Sequence, residues 1–464
     1  MLADLKDQTL AQNLYNLEGL EEKVNPFSVV MGANGSGKSS IFDALHFVKK
    51  VFMRRRRKNE KTIKICRNKL ASDNMSSTFE VCFSSTYGST KRPIQKYILE
   101  ISSMGIVRER ALFLENENWN EFWVHDFKPL PTKSKTEGAL NVDWGKEKFS
   151  KIKRNAEMAD IVSFFNNLFF FDSIDNNLDQ YSSSIMSPYT QKEIAKLSPE
   201  IRPLIITDRK IFLSDFKQLL VNLFNALGVN VTDLGFKLLY EDTFLYGSEE
   251  QHEYNDSKSF RSIKDCNREI EEIEDQLAEL DEEYEEEEYM DDDMGADVDW
   301  MRTYVLETLK YKNYEMPIIE ESSGTKRLVK LAFTMLRGLL YSNELVFFID
   351  EMDAGLHDAL SAEVVKQFFI YSKLIEDENV YNLKKNSQLI ITSHNTVLLR
   401  NGSIRKDQIW FAEMKEENRT TDLYSLADLK GVKSTEDFAE NYLRGAYGAV
   451  PQRSFATGEE NADE

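Results

Sequence analysis

The stretch MGANGSGKSS, residues 31–40, sets Gly32, Gly37, Lys38 and Ser39 at the spacing of a phosphate-binding loop. Such a loop works through its backbone. Glycines at 32, 35 and 37 permit turns that side chains block, so successive amide hydrogens converge on phosphate oxygens at the start of a helix. Lys38 then reaches the terminal phosphates as a point charge, and the Ser39 hydroxyl completes a magnesium shell. The binding set read in this way is Gly32, Ala33, Asn34, Gly35, Ser36, Gly37, Lys38, Ser39 and Ser40, with ATP and Mg2+ as the cofactors. Average residue usage allows a chance match in about two of a hundred chains of this length.

Farther along, ELVFFIDEMDAGLH carries Leu345 to Ile349 into the acidic pair Asp350 and Glu351. A continuously apolar run suits a parallel strand covered on both faces, whose C-terminal end is where ligands sit in such sheets. Asp350 is placed there to hold magnesium and Glu351 to polarise an attacking water as the catalytic base. QLIITSHN is a strand of the same kind and delivers His394, read as a contact to the terminal phosphate. Before the Asp350 strand, EESSGTKRLVKLAFTMLRGLL opens on a small-residue turn, with Ser322 or Ser323 as helix cap. Ser322, Ser323, Gly324 and Thr325 form a second anion site at that helix start. One phosphate chain has no need of both loops, which suggests donation to a second subunit's nucleotide.

These residues need a frame. Phe27 to Met31 supplies a buried strand before the loop, and Ile41, Leu45, Val48 and Phe52 recur at helical spacing after it. STFEVCFSS, KYILEIS, RERALFLE and EFWVHDF alternate apolar and polar residues and predict an antiparallel sheet. FFNNLFFF is a buried run that reads as either helix or strand. DRKIFLSDFKQLLVNLFNALG predicts a helix with Phe212, Phe216, Leu219, Leu223 and Leu227 on one stripe and Gly228 as its stop. Ile263, Cys266, Ile270, Ile273, Leu277, Leu280 and Tyr284 are spaced as a coiled-coil seam about 30 Å long. Met301, Val305 and Leu309 could be its return limb, although YVLETLKYKNY also reads as a strand.

With 464 residues the chain has room for two or three domains. Its net charge of -21 is concentrated: residues 269–299 hold 18 acidic residues and no Lys or Arg, leaving the remainder close to neutral. Glu285 to Asp297 would form an acidic tip, self-repelling in the manner of solvated tracts. The opposite block is Arg54, Arg55, Arg56 and Arg57, a solvated face or a contact for an acidic protein surface or nucleic acid. Three scattered cysteines show no metal or redox spacing and fit a reducing cytoplasm. No window reaches the apolar length of a membrane helix, so a transporter's integral part is not expected.

The order of these motifs resembles ABC-type ATPases of the RecF and SMC kind. The resemblance assigns Gly32 to Ser39 to a Walker A loop, Ser322 to Thr325 to a signature motif, Asp350 and Glu351 to a Walker B strand, Met352 to His357 to a D-loop and His394 to a switch histidine. Within that class the chain is similar to a group of phage-defence ATPases, on ESSGTKRL, IDEMDAGLH, LIITSHNTVLL, RKDQIWFAE, LYSLADLK and YLRGAYGAVP. It departs in opening on MLADLKDQTLAQ where the family begins with an NFxSF strand, and in lacking a recognisable Q-loop glutamine.

The fold this implies is α/β: an ABC-type head with a mixed sheet and a flanking antiparallel sheet, interrupted by a short helical coiled-coil arm. The expected domains are 1–200, the first half of the head; 201–312, the arm; and 313–464, the second half. The resemblance further implies head-to-tail dimers that sandwich two nucleotides, assembly of those dimers into a hexamer, and sequestration of a separate Toprim-type nuclease. Release would follow contact with a phage-encoded DNA-mimic protein, for which Arg54 to Arg57 are a candidate surface. The competing expectation is a RecF-like DNA-repair ATPase, whose DNA affinity would fall steeply with salt. A self-contained nuclease ranks last, because no further acidic cluster has catalytic spacing.

Overall fold

The computed structural model describes residues 14–16, 23–53, 62–64, 76–84, 94–102, 105–115, 118–126, 139–141, 156–171, 197–198, 203–208, 213–245, 298–341, 345–377, 387–400, 404–415 and 417–450. The chain divides into two compact units, one made of Met1–Ser173 with Ser342–Glu464, the other of Ile174–Tyr341.

The first unit begins with β1 (Tyr15–Asn16), β2 (Lys23–Val24), β3 (Phe27–Met31) and α1 (Lys38–Met53). After β4 (Thr62–Lys64) come β5 (Ser77–Ser84), β6 (Ile94–Ser102), β7 (Gly105–Glu115), β8 (Asn118–Asp126) and β9 (Ala139–Asn141). Then α2 (Ala156–Asn166) leads into β10 (Leu168–Phe171). The second unit holds β11 (Ile205–Asp208), α3 (Leu213–Ala226), β12 (Asp233–Leu245), β13 (Val298–Lys310), β14 (Glu315–Pro317) and α4 (Ser323–Tyr341). The chain then returns to the first unit through β15 (Val346–Ile349), α5 (Asp358–Asp377), β16 (Gln388–Thr392) and α6 (Val397–Arg400). It continues with β17 (Ile409–Lys415), β18 (Thr420–Ser425) and α7 (Phe438–Leu443).

The central sheet has strand order β10-β15-β16-β3-β17-β18. Its first five strands run parallel and only β18 is antiparallel, on β17. Every residue of β3 is buried, as a strand covered on both faces requires. The four alternating segments predicted from sequence form a second, antiparallel sheet in the order β5-β6-β7-β8.

Helix α1 is the element shared by the two sheets. Phe42 packs edge-on against Phe348 of β15 at 5.3 Å. Farther along the helix, Phe47 lies 5.3 Å from Phe79 of β5, and Phe52 lies 5.4 Å from Tyr97 of β6. Ile161, Phe165 and Leu168 complete this core. The ambiguous run FFNNLFFF therefore ends a helix and begins a strand. The switch falls at Asn167, whose amide closes the last turn onto Ser163 and Phe164.

In the second unit β11, β13 and β12 lie side by side as an antiparallel sheet, with β14 pairing onto β13. Helix α3 buries Phe216, Leu220, Leu223 and Phe224, and Leu227 just past its end is buried as well. The stripe is thus rotated from the one expected: Leu219 is only half-buried and Phe212 lies outside the described residues. Gly228 ends the helix as anticipated, at φ +84°. On α4, Leu328, Leu331, Met335 and Leu339 are all buried, and Phe333 meets Phe216 edge-on at 5.3 Å.

Three expectations are corrected here. Met301, Val305 and Leu309 are not a helical return limb but part of β13, which pairs with β12 along nearly its whole length. The run is rich in β-branched and aromatic residues, and an antiparallel partner satisfies its backbone where no partner helix does. The interval 201–312, expected as a helical arm, is among the described residues one helix and long antiparallel strands. The seam from Ile263 to Tyr284, and Arg54 to Arg57, lie outside the described residues. Residues 313–341, expected with the returning head, belong to the second unit.

Candidate functional site

The parallel strands of the central sheet bring three separate sequence segments to one edge. Register pairs Ile349 with Ile391 and Thr392 with Val30, so β15, β16 and β3 end together. Asp350 and Glu351, His394 and the loop from Gly32 to Gly37 therefore follow from neighbouring strand ends, where ligands of open α/β sheets are held.

The loop is shaped by close approach as well as by turns. Gly37 has φ +96°, and a Cβ there would stand 2.0 Å from Thr421 Oγ1 and 3.0 Å from Thr421 Cβ. A Cβ at Gly32 would stand 2.4 Å from the Ala412 carbonyl oxygen of β17. Ser36 N–H donates to the Ala33 carbonyl at 3.2 Å, and Lys38 Nζ donates to the carbonyls of Gly32 and Ala33, each at 2.9 Å. Ser36 Oγ is buried with no hydrogen-bond partner among the described residues. Lys38 is buried too, and that burial lowers its pKa below the ordinary lysine value, with Asp350, Asp353 and Glu351 opposing the shift. Ser39 and Ser40 stand exposed on the first turn of α1.

Opposite the loop, one hydroxyl organises the acidic pair. Thr392 is fully buried; its Oγ1 donates to Asp350 Oδ1 and accepts the Glu351 N–H at 2.8 Å. Asp350 is thus fixed as a buried carboxylate. Glu351 has φ +47°, a conformation that non-glycine residues seldom adopt, and its side chain is exposed. Directly after it the Met352 N–H returns to the Thr392 carbonyl at 2.9 Å, so the turn is confined to a single residue.

His394 is held by its backbone, whose N–H donates to Asp353 Oδ1 at 3.1 Å and Oδ2 at 3.3 Å. Its pKa is lowered by partial burial and then by the Lys38 ammonium, against the pull of Asp353, Glu351 and Asp350. All four charges therefore act on one imidazole. Asn395 turns the chain away by accepting the Val397 N–H at 2.8 Å and donating to the Asp358 carbonyl at 3.0 Å.

The residues expected to form a signature motif belong to the second unit. Ser322 is the cap: its Oγ accepts the Thr325 N–H at 3.2 Å and lies 2.9 Å from Thr325 Oγ1. Ser322 and Ser323 are exposed and Gly324 and Thr325 half-buried. Just before them, Tyr311 donates to Glu321 Oε1 at 2.7 Å, and burial together with that carboxylate pushes the phenol's pKa up.

The first unit fits a nucleotide with magnesium. It has a glycine cradle, an orphan hydroxyl at Ser36, a buried cation at Lys38 and a buried, oriented carboxylate at Asp350. No group of three or more His, Cys, Asp or Glu among the described residues could hold a metal by itself. A magnesium ion bound through Ser39 and Asp350 would need phosphate oxygens to complete its shell. Sequence reasoning missed Thr392 and Thr421, and it named Asp353 only within the D-loop stretch Met352 to His357. The signal for Thr392 was present as a polar residue ending the apolar run QLIIT; Thr421 had none.

Residues 13–399 match a family model described as an AAA ATPase domain, which leaves β17, β18 and α7 outside the matched stretch. No match was found among curated proteins. Solved structures similar to this chain include an Smc head bound to the C-winged helix domain of ScpA, at 15% identity and TM-score 0.36. Another is the Smc head domain with an extended coiled coil bound to the C-terminal domain of ScpA, derived from Pyrococcus furiosus, at 15% identity and TM-score 0.35. A third is the SMC head domain from Thermotoga maritima, at 13% and 0.28. Each comparison covers 89% of this chain and 96% of the other.

Proposed function

The chain belongs to the AAA ATPase domain family, and on that premise we propose that it binds and hydrolyses ATP at the strand-end site of its first unit. The observation that carries this reading is the convergence of the glycine loop with Lys38, the Thr392-held pair Asp350 and Glu351, and His394 held by Asp353 at the ends of neighbouring parallel strands. Loop amides and the start of α1 take the phosphate oxygens, and Lys38 adds its charge there. Ser39 and Asp350 hold magnesium, which supplies charge neutralisation at the phosphates when bound. Glu351, turned outward by its backbone, orients and deprotonates the attacking water, and His394 contacts the terminal phosphate.

The test pairs two substitutions. Lys38→Ala is expected to abolish MgATP binding in calorimetry. Glu351→Gln is expected to bind MgATP as wild type does while phosphate release slows by about a hundredfold or more. Equal turnover of Glu351→Gln and wild type removes the base from this account.

We further propose an ABC-type arrangement, in which Ser322, Ser323, Gly324 and Thr325 of one copy close the nucleotide site of another in a head-to-tail dimer. The stretches ESSGTKRL, IDEMDAGLH and YLRGAYGAVP support reading the chain as a cytoplasmic sensor and scaffold of phage defence, and its overall size and layout resemble those of AriA, the ATPase subunit of the PARIS system. In that role dimers assemble into a hexamer that holds a separate Toprim-type nuclease. A phage DNA-mimic protein, docking on Arg54 to Arg57, releases it. Co-purification of a Toprim protein with the natively expressed chain supports this. Salt-sensitive, DNA-stimulated hydrolysis without such a partner favours a RecF-like repair ATPase instead.

A further inference from the structure

The hairpin β17–β18 lies alongside the phosphate loop although it is far away in sequence. Strand β17 pairs with β3, Phe411 opposite Met31, and its Ala412 carbonyl occupies the space a side chain at Gly32 would need. On β18, Thr421 fills the space beside Gly37, and its Oγ1 donates to the Ser36 carbonyl at 2.9 Å.

That last bond fixes a peptide plane. In a trans peptide the carbonyl oxygen and the following N–H point in opposite directions. Holding the Ser36 oxygen toward β18 therefore directs the Gly37 N–H away from β18, on the side where a phosphate oxygen would be received. Without the hydroxyl, the Ser36–Gly37 peptide is free to rotate, since glycine tolerates both orientations at little cost.

The hairpin is itself braced. Tyr424 Oη donates to the Tyr447 carbonyl at 2.8 Å, a Cβ at Gly448 would stand 2.7 Å from Tyr424 Oη, and Phe411 stacks on Tyr442 at 5.3 Å. The segment NYLRGAYGAV, with no role in the ATPase chemistry above, thus holds the strand that holds the loop.

We propose that Thr421 is a positioning residue for nucleotide binding, which pre-organises the phosphate loop through the Ser36 carbonyl. This rests on the ATPase reading above. It assigns the chain beyond the family match a part in the site.

The experiment compares Thr421→Val, which keeps the shape and loses the donor, with Thr421→Ser, which keeps the donor. Full-length wild type, both variants and Lys38→Ala are titrated with MgATP by calorimetry, assayed for phosphate release, and melted without nucleotide. Thr421→Val is expected to weaken binding and raise KM by about threefold to tenfold, the loss of one oriented hydrogen bond. Its kcat should stay within about twofold of wild type and its nucleotide-free melting temperature should be unchanged, while Thr421→Ser binds as wild type does. Wild-type affinity in Thr421→Val overturns the proposal, as does an equal loss in both variants, which would make Thr421 a packing residue. Should wild type and Lys38→Ala bind alike, the ATPase reading itself falls, and this inference with it.

Discussion

At the scale of single residues the site is governed by hydroxyls that sequence motifs do not name. Thr392 donates a hydrogen bond to Asp350 and accepts one from the Glu351 N–H, so one buried side chain orients the expected magnesium ligand and restrains the expected base. Glu351 stands at φ +47°, a strain of about 1–3 kcal/mol for a non-glycine residue, and such strain persists only where the surroundings enforce it. The Thr392 bond, with Met352 returning to the Thr392 carbonyl, is that enforcement. Thr392→Val should therefore lower kcat by tenfold or more, about the effect of misplacing two groups that act together, with Thr392→Ser close to wild type. Steady-state phosphate release at saturating MgATP reads this, and an unchanged kcat in Thr392→Val would show that Asp350 and Glu351 keep their places unaided.

At the scale of elements, α1 follows the loop and carries a half-buried lysine, Lys49. Lys49 Nζ donates to the Leu168 carbonyl where β10 begins, and it lies 5.8 Å from the Phe169 ring centre. Burial brings its pKa down from 10.5 to about 7. The sign follows from proton counting. Between about pH 7 and 10.5 the unfolded chain keeps this proton and the folded chain sheds it, so the unfolded state binds more protons and stability rises with pH. Below that window both states are charged and the full desolvation cost is present. Lys49→Met should be more stable than wild type at pH 7, with the difference narrowing by pH 9. Urea unfolding at the two pH values tests it, and a difference that is constant with pH places the lysine in solvent.

At the scale of the whole molecule, the proposed ABC-type dimer makes a prediction that single chains cannot satisfy. Lys38→Ala damages the phosphate loop and leaves the signature residues intact, and Ser323→Arg does the converse. Each variant alone should be inactive. Mixed, they should recover hydrolysis, because a head-to-tail heterodimer contains one site built from two undamaged halves. Phosphate release from the mixture measures this. No recovery at concentrations where the chains associate, shown by light scattering, argues against shared sites.

Much of this architecture was legible in order along the chain. The phosphate loop, the apolar runs before Asp350 and His394, the four alternating strands and the stripe on α4 are local patterns, in which neighbours in sequence are neighbours in space. The stop at Gly228 is local in the same way. The fate of residues 298–310 was not legible, because a run rich in Val, Leu, Tyr and Thr suits helix or strand until its partner is known, and β12 was that partner. Nor were the roles of Thr392 and Thr421, since a threonine gains a role only from what lies across from it, 42 residues away from Thr392 and 385 from Thr421. The sequence by itself determined which chemistry is available, because spacing within one loop or one strand end dictates which atoms can converge. Only the tertiary structure decided which hydroxyls aim that chemistry, because hydrogen bonds between distant strands depend on sheet order and register, and no local pattern encodes either.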